Sequence, residues 1–298
     1  MSNIIKAVIA GVPVGDEEPV RVMGVINASP ESFYKGSVVT DPERAASLAE
    51  EMVREGASFI DVGGMSTAPY LDTYVTPEEE AGRVVPIIEA IKENSSVKAP
   101  VSVDTTRAFV AKKAIEAGAD IVNDVKGLKG DPRMCKVVAE YGVPVIVAAN
   151  PLGQRIEGAD PIRTVMTALE ESIRIAEDAG VDVAKIVIDP AIGFIRPKNP
   201  PWYVWDATVI ANLDILRAFG LPILVGISRK SFLKAITGRE KPEERLAGSL
   251  AAAAIAVWNG AHIVRAHDVR ETVDAVRVAK FIRDKSEPGW SFSFRPYR

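Results

Sequence analysis

AIEAGADIVNDV, residues 114–125, holds in one phrase the pattern that decides the fold. A helix-period run closes at Gly118, an apolar strand opens at about Asp120, and the strand ends on two polar residues, Asn123 and Asp124. A glycine just past a helix takes the left-handed conformation that closes the last turn. Working outward, the same phrase recurs: helical segments close at Gly56, Gly118, Gly142, Gly180, Gly220 and Gly260. All but the longer stretch after Gly180 lead within about three residues into the next strand. The strands read as VRVMGVIN (core 21–27), FIDVGG (59–64), VSVDT (101–105), DIVNDV (120–125), PVIVAAN (144–150), KIVIDP (185–190), PILVGIS (222–228) and HIVRAHD (262–268). Between them DPERAASLAEEMVREG, PEEEAGRVVPIIEAIKEN and PIRTVMTALEESIRIAEDAG carry i, i+3, i+4 apolar spacing and open with Asp, Thr or Pro, the chemistry of a helix start.

The loops after strands are mostly long, at 28–41, 65–76, 151–160, 191–206 and 229–243. Eight β/α units with tight turns at one face and long loops at the other predict an α/β chain folded as a (β/α)8 TIM barrel, with its chemistry at the carboxyl ends of the strands. A doubly wound open sheet would carry a glycine fingerprint after an early strand, and the sequence has neither G-x-G-x-x-G nor a Walker A loop. No linker interrupts the rhythm, so residues 1–298 read as a single domain. Residues 1–19 form an N-terminal hairpin that plugs the amino-terminal end of the barrel. Residues 286–298 make an aromatic and basic C-terminal tail that packs on the surface or on a partner subunit.

Thirty-six Lys and Arg against 40 Asp and Glu leave a net charge of −4, which gives no global pull toward nucleic acid or an anionic membrane. A 47% hydrophobic content supports a large core. One cysteine, Cys135, excludes an internal disulfide, and two histidines, His262 and His267, cannot build a His-rich metal site. The opening residues lack a basic region followed by a long apolar run, and LAAAAIAVW (250–258) is too short to span a bilayer. A cytoplasmic enzyme is expected, with no membrane and no nucleic-acid partner.

The strand ends collect Asn27, Asp61, Asp104, Asn123 with Asp124, Asn150, Asp189, Ser228 to Lys230, and Arg265 with His267 and Asp268. Each alone could be a cap, a turn or a satisfied core residue. Together they outnumber what capping requires. Asp104, Asn123, Asp189 and Lys230 suit a flat heterocycle presenting N–H donors beside nitrogen and carbonyl acceptors, as a pterin or purine does. Asn27, Arg265 and His267 form a cationic and amide cluster suited to a diphosphate, with Mg2+ bridging it. No G-x-S-x-G, H-E-x-x-H or C-x-x-C is present.

These residues also carry a family resemblance. MGVINASPESF resembles the NVTPDSF signature of dihydropteroate synthases, DVGGMSTAPY resembles DVGGESTRPG, and VSVDT, IVNDV, IDPAIGF, GISRKSF and VRAHDV match the remaining blocks in order, over about 23–285. The resemblance implies a barrel, usually dimeric, that joins 7,8-dihydropterin-6-ylmethyl diphosphate to 4-aminobenzoate with release of diphosphate, assisted by Mg2+. Carried over by position, Asp104, Asn123, Asp189 and Lys230 look like pterin contacts. Asn27, Arg265 and His267 look like the diphosphate side, with Asn27 on the metal. Ser231, Phe194 and Thr67 look like further substrate contacts, Ser231 to the aminobenzoate. Asp104, Lys230, Arg265 and His267 are the expected catalytic set.

The departures gather over the second substrate. Met65 and Ala68 stand where the family has Glu and Arg, Ser29 where it has Thr, and AANPLG replaces an MHMxG-like stretch, while Arg196 stands where Lys is usual. The loss of a bidentate anion contact at Ala68 predicts a wider, less cationic arylamine pocket that admits a modified aryl amine. Two other readings stay open: a methyltransferase passing a methyl group from a reduced pterin to a corrinoid protein, and a non-catalytic pterin-binding paralogue.

Overall fold

The computed structural model describes residues 4–31, 36, 38–66, 73–154 and 156–286. The chain begins with an antiparallel hairpin of β1 (Lys6–Ile9) and β2 (Val12–Gly15). Its two turn residues, Ala10 and Gly11, both have positive φ, 46° and 84°, the tight-turn geometry that matches the twist of the flanking strands.

Eight parallel strands follow: β3 (Arg21–Asn27), β4 (Phe59–Gly63), β5 (Val101–Asp104), β6 (Ile121–Asp124), β7 (Val145–Ala148), β8 (Ile186–Asp189), β9 (Leu224–Gly226) and β10 (Ile263–Ala266). They pair in the order β8-β7-β6-β5-β4-β3-β10-β9. The ring closes through a bridge between Ile188 and Ile223 and the bond from the Ile188 N–H to the Pro222 carbonyl, 3.0 Å. The predicted barrel is therefore the observed one. The strands are shorter than the sequence runs. β9 stops at Gly226 because the chain turns at Arg229, whose φ is +58°.

Helices α1 (Pro42–Arg54), α2 (Pro77–Glu93), α3 (Ala108–Glu116), α4 (Met134–Tyr141), α5 (Pro161–Asp178), α6 (Trp202–Ala211), α7 (Ser231–Thr237), α8 (Leu246–Trp258) and α9 (Val269–Lys285) accompany the strands. Three of them start as their sequences predict. Asp41, Thr76 and Asp160 accept from the N–H groups of Arg44, Glu79 and Arg163, each ahead of a proline at the first helical position. The six predicted closing glycines all have positive φ, from 62° at Gly142 to 107° at Gly56 and Gly118.

Side chains alternate along each strand between the helices and the barrel interior. Val22, Ile60, Val122 and Ile188 join the core between sheet and helices, whereas Met23, Phe59, Ile121, Ile146, Val187, Leu224 and Ile263 form one apolar layer inside the barrel. Ile9 and Val14 of the hairpin pack onto that layer, so the hairpin does stop the amino-terminal end. Each such fully buried Ile, Leu or Phe contributes about 1.5–3 kcal/mol. Asp16, just beyond β2, locks the plug. It accepts from the Ile5 N–H (2.7 Å) and from both terminal nitrogens of Arg217 (2.6 and 2.9 Å), and it pairs with His262 Nε2 at 3.3 Å. His262 Nδ1 accepts from the Ile223 N–H, which puts the ring proton on Nε2, facing Asp16. Among the tail residues 286–298, only Ser286, the cap of α9, lies within the described residues.

Candidate active site

Two residues beyond the apolar layer, the same inward direction meets polar groups. Asp61 follows Phe59, Asn123 follows Ile121, Asp189 follows Val187 and Arg265 follows Ile263, while Asp104 stands opposite Asn123 in register. Gly226 follows Leu224 and brings no side chain. A Cβ there would stand 3.5 Å from Lys230 Nζ, so the bare position leaves room for the ammonium. Five predicted site residues thus share one mouth: Asp104, Asn123, Asp189, Lys230 and Arg265.

Arg265 organises the floor. Its Nε donates to Asp61 Oδ2 (2.6 Å) and its Nη2 to Asp104 Oδ2 (2.8 Å), and Asn123 Nδ2 donates to the same Asp61 oxygen at 3.2 Å. The second carboxylate oxygens, Asp61 Oδ1 and Asp104 Oδ1, and the amide oxygen of Asn123 are buried without a hydrogen-bond partner among the described residues. Leaving such acceptors unsatisfied costs about 1–3 kcal/mol each. Burial pushes the Asp104 carboxyl up to about 7 even against the Arg265 guanidinium, and burial raises Asp189 as well. Asp104 is not the helix cap that its position before Thr105 would allow, since α3 begins later, with Arg107 at its N-cap. Asp124 does take the bland role: its carboxylate accepts from the N–H groups of Lys126 (2.8 Å) and Leu128 (2.9 Å) and ties the next turn.

Lys230 enters from the loop after β9. Its Nζ donates to the Ile192 carbonyl and stands 4.4 Å from the Phe194 ring centroid, which brings Phe194 into the site by a cation–π contact. Burial lowers the Lys230 ammonium to about 8, against the pull of Asp189. The turn beneath it is tight. Ala191 (φ +61°) donates its N–H to Asp189 Oδ1 at 2.8 Å, and Gly193 (φ +83°) lies so close to Lys230 that a Cβ would come 2.8 Å from its Cδ.

The strand-end loops of β9 and β10 are bolted together by Arg229, which donates to both oxygens of Asp268 (2.8 and 2.6 Å). Beside that pair, Ser228 Oγ accepts the His267 N–H (3.3 Å) and contacts His267 Nδ1 at 2.9 Å. Burial, then the charges of Arg265, Arg229 and Lys230, lower the imidazole to about 3. His267 is therefore neutral, and its Nδ1 shares a hydrogen with Ser228 Oγ. The cationic part of the expected anion cluster is Arg265 alone. Asn27 Oδ1 lies on the mouth beside Gly63, whose absent Cβ would be 3.9 Å from it and 3.6 Å from Asp104 Cβ. Ser231 accepts from Arg196 Nη1 at 3.0 Å, and the Arg196 guanidinium stacks 3.9 Å from the Trp202 ring centroid. Thr67 and Ala68 lie outside the described residues.

Several participants carry no local sequence signal. Asp206 on α6 is buried and accepts the Gly193 N–H at 2.9 Å. Glu80 on α2 is buried behind the floor, where it takes the Thr105 hydroxyl (2.6 Å) and Arg107 Nη1 (2.7 Å). Arg83, one turn on, binds Glu31 (2.7 Å) and the Gly64 carbonyl (3.0 Å) and so ties the loops after β3 and β4. These residues are read by contact across the fold, not by motif.

Known proteins are similar to this chain over most of its length. The chain is 38% identical to the dihydropteroate synthase of Bacillus subtilis (strain 168) over 266 residues, 89% of this chain and 88% of that protein. The solved structure of Xanthomonas albilineans dihydropteroate synthase with 4-aminobenzoic acid matches with a TM-score of 0.82 and 37% identity, covering 94% of this chain and 99% of that one. The same organism's enzyme in complex with 7,8-dihydropteroate matches with a TM-score of 0.78 and 36% identity, over 93% and 98%. Residues 23–267, from inside β3 to His267 at the mouth, match the family described as pterin binding enzyme, and the chain belongs to that family.

Proposed function

We propose that the chain acts as a dihydropteroate synthase, a transferase of folate biosynthesis that joins a 7,8-dihydropterin-6-ylmethyl diphosphate to 4-aminobenzoate and releases diphosphate. The observation that carries this reading is the pair of buried acceptors at the mouth with no hydrogen-bond partner among the described residues, Asp104 Oδ1 and Asn123 Oδ1. A pterin ring brings the N–H donors that would satisfy such oxygens. Asp104, Asn123 and Asp189 accept from the ring, and the Lys230 ammonium donates to its carbonyl or ring nitrogen. Asp61 enters through Arg265 and Asn123, which it fixes in place.

In the reaction the bond between the pterin methylene and the diphosphate oxygen breaks, and the amine nitrogen bonds to that carbon and loses a proton. Arg265, with the neutral His267 beside it, faces the charge that builds on the leaving diphosphate. An aromatic amine is unprotonated near neutral pH, so positioning replaces a strong base. Phe194, Ser231 and the Arg196–Trp202 stack form the amine's side of the site. Thr67 belongs to it by sequence position. The Asn27 amide oxygen stands beside Gly63 and Asp104, a hard oxygen donor that would suit Mg2+. Bound there, the ion would offset charge on the leaving group.

The same proposal takes residues 1–298 as one pterin-binding domain, working in the cytoplasm as a homodimer. Among the described residues no helix is long and apolar enough to cross a membrane. Exposed Ile255, Trp258, Val278 and Ile282 on α8 and α9 border a hollow of about 700 Å³, the kind of apolar face that a second copy covers.

The test is diphosphate release from the pterin diphosphate with 4-aminobenzoate and with ribosylated aryl amines. Release with 4-aminobenzoate is expected, and faster release with a larger amine would select a modified second substrate. Methyl transfer from a methylated reduced pterin to a corrinoid protein, without diphosphate release, would overturn the synthase reading.

A further inference from the structure

Asp206 is the buried carboxylate at the mouth that the reaction above does not use. It stands on α6, packed behind the turn that follows β8. Oδ1 accepts the Gly193 N–H at 2.9 Å, and Oδ2 is buried with no hydrogen-bond partner among the described residues. An isolated carboxylate oxygen in such a place is expensive unless nearby positive charge offsets it. Two cations act on it, Lys230 and Arg196. The turn that it holds is also the surface on which Lys230 rests: Gly193 leaves the space against Lys230 Cδ, and the Ile192 carbonyl receives Lys230 Nζ.

We propose that Asp206 is a positioning residue for Lys230: it fixes the Ile192–Gly193 turn on which the side chain rests and supplies a fixed carboxylate behind it. The inference rests on the synthase reading. The groups facing Lys230 are Asp189 from β8, Asp104 from β5, Arg265 from β10 and Asp206 from α6. Arg265 disfavours the ammonium and the three carboxylates favour it. Asp189 and Asp104 also face the pterin, whose arrival takes up their free acceptors. Asp206, shielded behind the turn, keeps its charge directed at Lys230 through the cycle. Burial raises Asp206 and lowers Lys230, while the attraction between the two favours their charged forms.

The test is the pH profile of kcat/KM for diphosphate release in the wild type, Asp206→Asn, Asp206→Ala and Lys230→Arg. Asn keeps an oxygen for the Gly193 N–H and removes only the charge. Its kcat/KM at pH 7 should stay within about threefold of wild type, while the alkaline limb moves down by about one pH unit. Asp206→Ala should lose about tenfold or more at every pH, because the turn is freed as well. In a Lys230→Arg background the limb should vanish and Asp206→Asn should no longer shift it. An unchanged alkaline limb in Asp206→Asn would overturn the proposal and leave Asp206 a turn-holder. A wild-type protein that binds the pterin but releases no diphosphate would overturn the synthase reading instead. The pH dependence of pterin binding by calorimetry, in wild type and Asp206→Asn, would then judge Asp206 by the same shift.

Discussion

At the amino-terminal end of the barrel Asp16 meets Arg217, His262 and the Ile5 N–H; at the carboxyl-terminal end Asp104 meets Arg265 with one oxygen and, among the described residues, no hydrogen-bond donor with the other. Burial opposes the charge on both. At Asp16 the hydrogen bonds from His262, Arg217 and the backbone win, and the carboxyl is held well below the usual range. At Asp104 burial wins, and the carboxyl rises to about 7. The plug end has its polar groups matched and serves the fold, whereas the mouth keeps acceptors open for a ligand at the expense of the fold.

The sharpest way to break that contrast is Asp104→Asn. kcat/KM should fall by about 10- to 150-fold, because a charged acceptor to the ring is lost, a change of about 1.5–3 kcal/mol. The melting temperature should rise, since a buried charge is removed. Lost activity with a lower melting temperature would mean that the mouth, like the plug, is built for stability. Next, Asp16→Ala should destabilise the protein by about 1–3 kcal/mol in urea unfolding, because Arg217 and the Ile5 N–H lose their acceptor, while kcat changes little.

A pH series separates the two ends further. Asp104 and Asp206 have folded values raised above the ordinary 3.8, so the stability linked to their protonation is complete below that value and is lost as pH rises through about 7. Asp16 has the opposite sign: its contribution is present above 3.8 and is lost as pH falls below it. Melting temperatures should therefore decline between pH 5 and 7.5 in the wild type and decline less in Asp104→Asn. The smallest effect belongs to Ala191→Gly. Relief of the left-handed φ of +61° should stabilise by about 1 kcal/mol, read as a rise in the urea midpoint, with little change in turnover.

The barrel and much of its mouth were legible in the sequence because both follow from short-range periodicity. In FID, IVND, VID and IVRA the polar residue comes two places after an inward apolar one, so alternation alone puts Asp61, Asn123, Asp189 and Arg265 in one layer. The closing glycines and the Asp-Pro and Thr-Pro starts are equally local. Charge states were not legible. The sequence groups His267 with Arg265 as cations, but burial among Arg265, Arg229 and Lys230 keeps the imidazole neutral. Nor could a motif reveal Asp206, whose partner Gly193 belongs to a different segment and whose burial depends on how α6 seats against the barrel.

The position of β10 in the ring has a consequence for how the protein is made. β10 lies between β3 and β9, so the first and last barrel strands are hydrogen-bonded neighbours. Until Ile263–Ala266 have left the ribosome, β3 keeps an open edge, and Asp16 still lacks His262. At about 5–20 residues per second, the nascent chain carries that exposed edge for on the order of ten to fifty seconds. Chaperone dependence during synthesis should then track the delay before the last strand appears, so slowed translation of the final third would burden the cell more than the same slowing at the start.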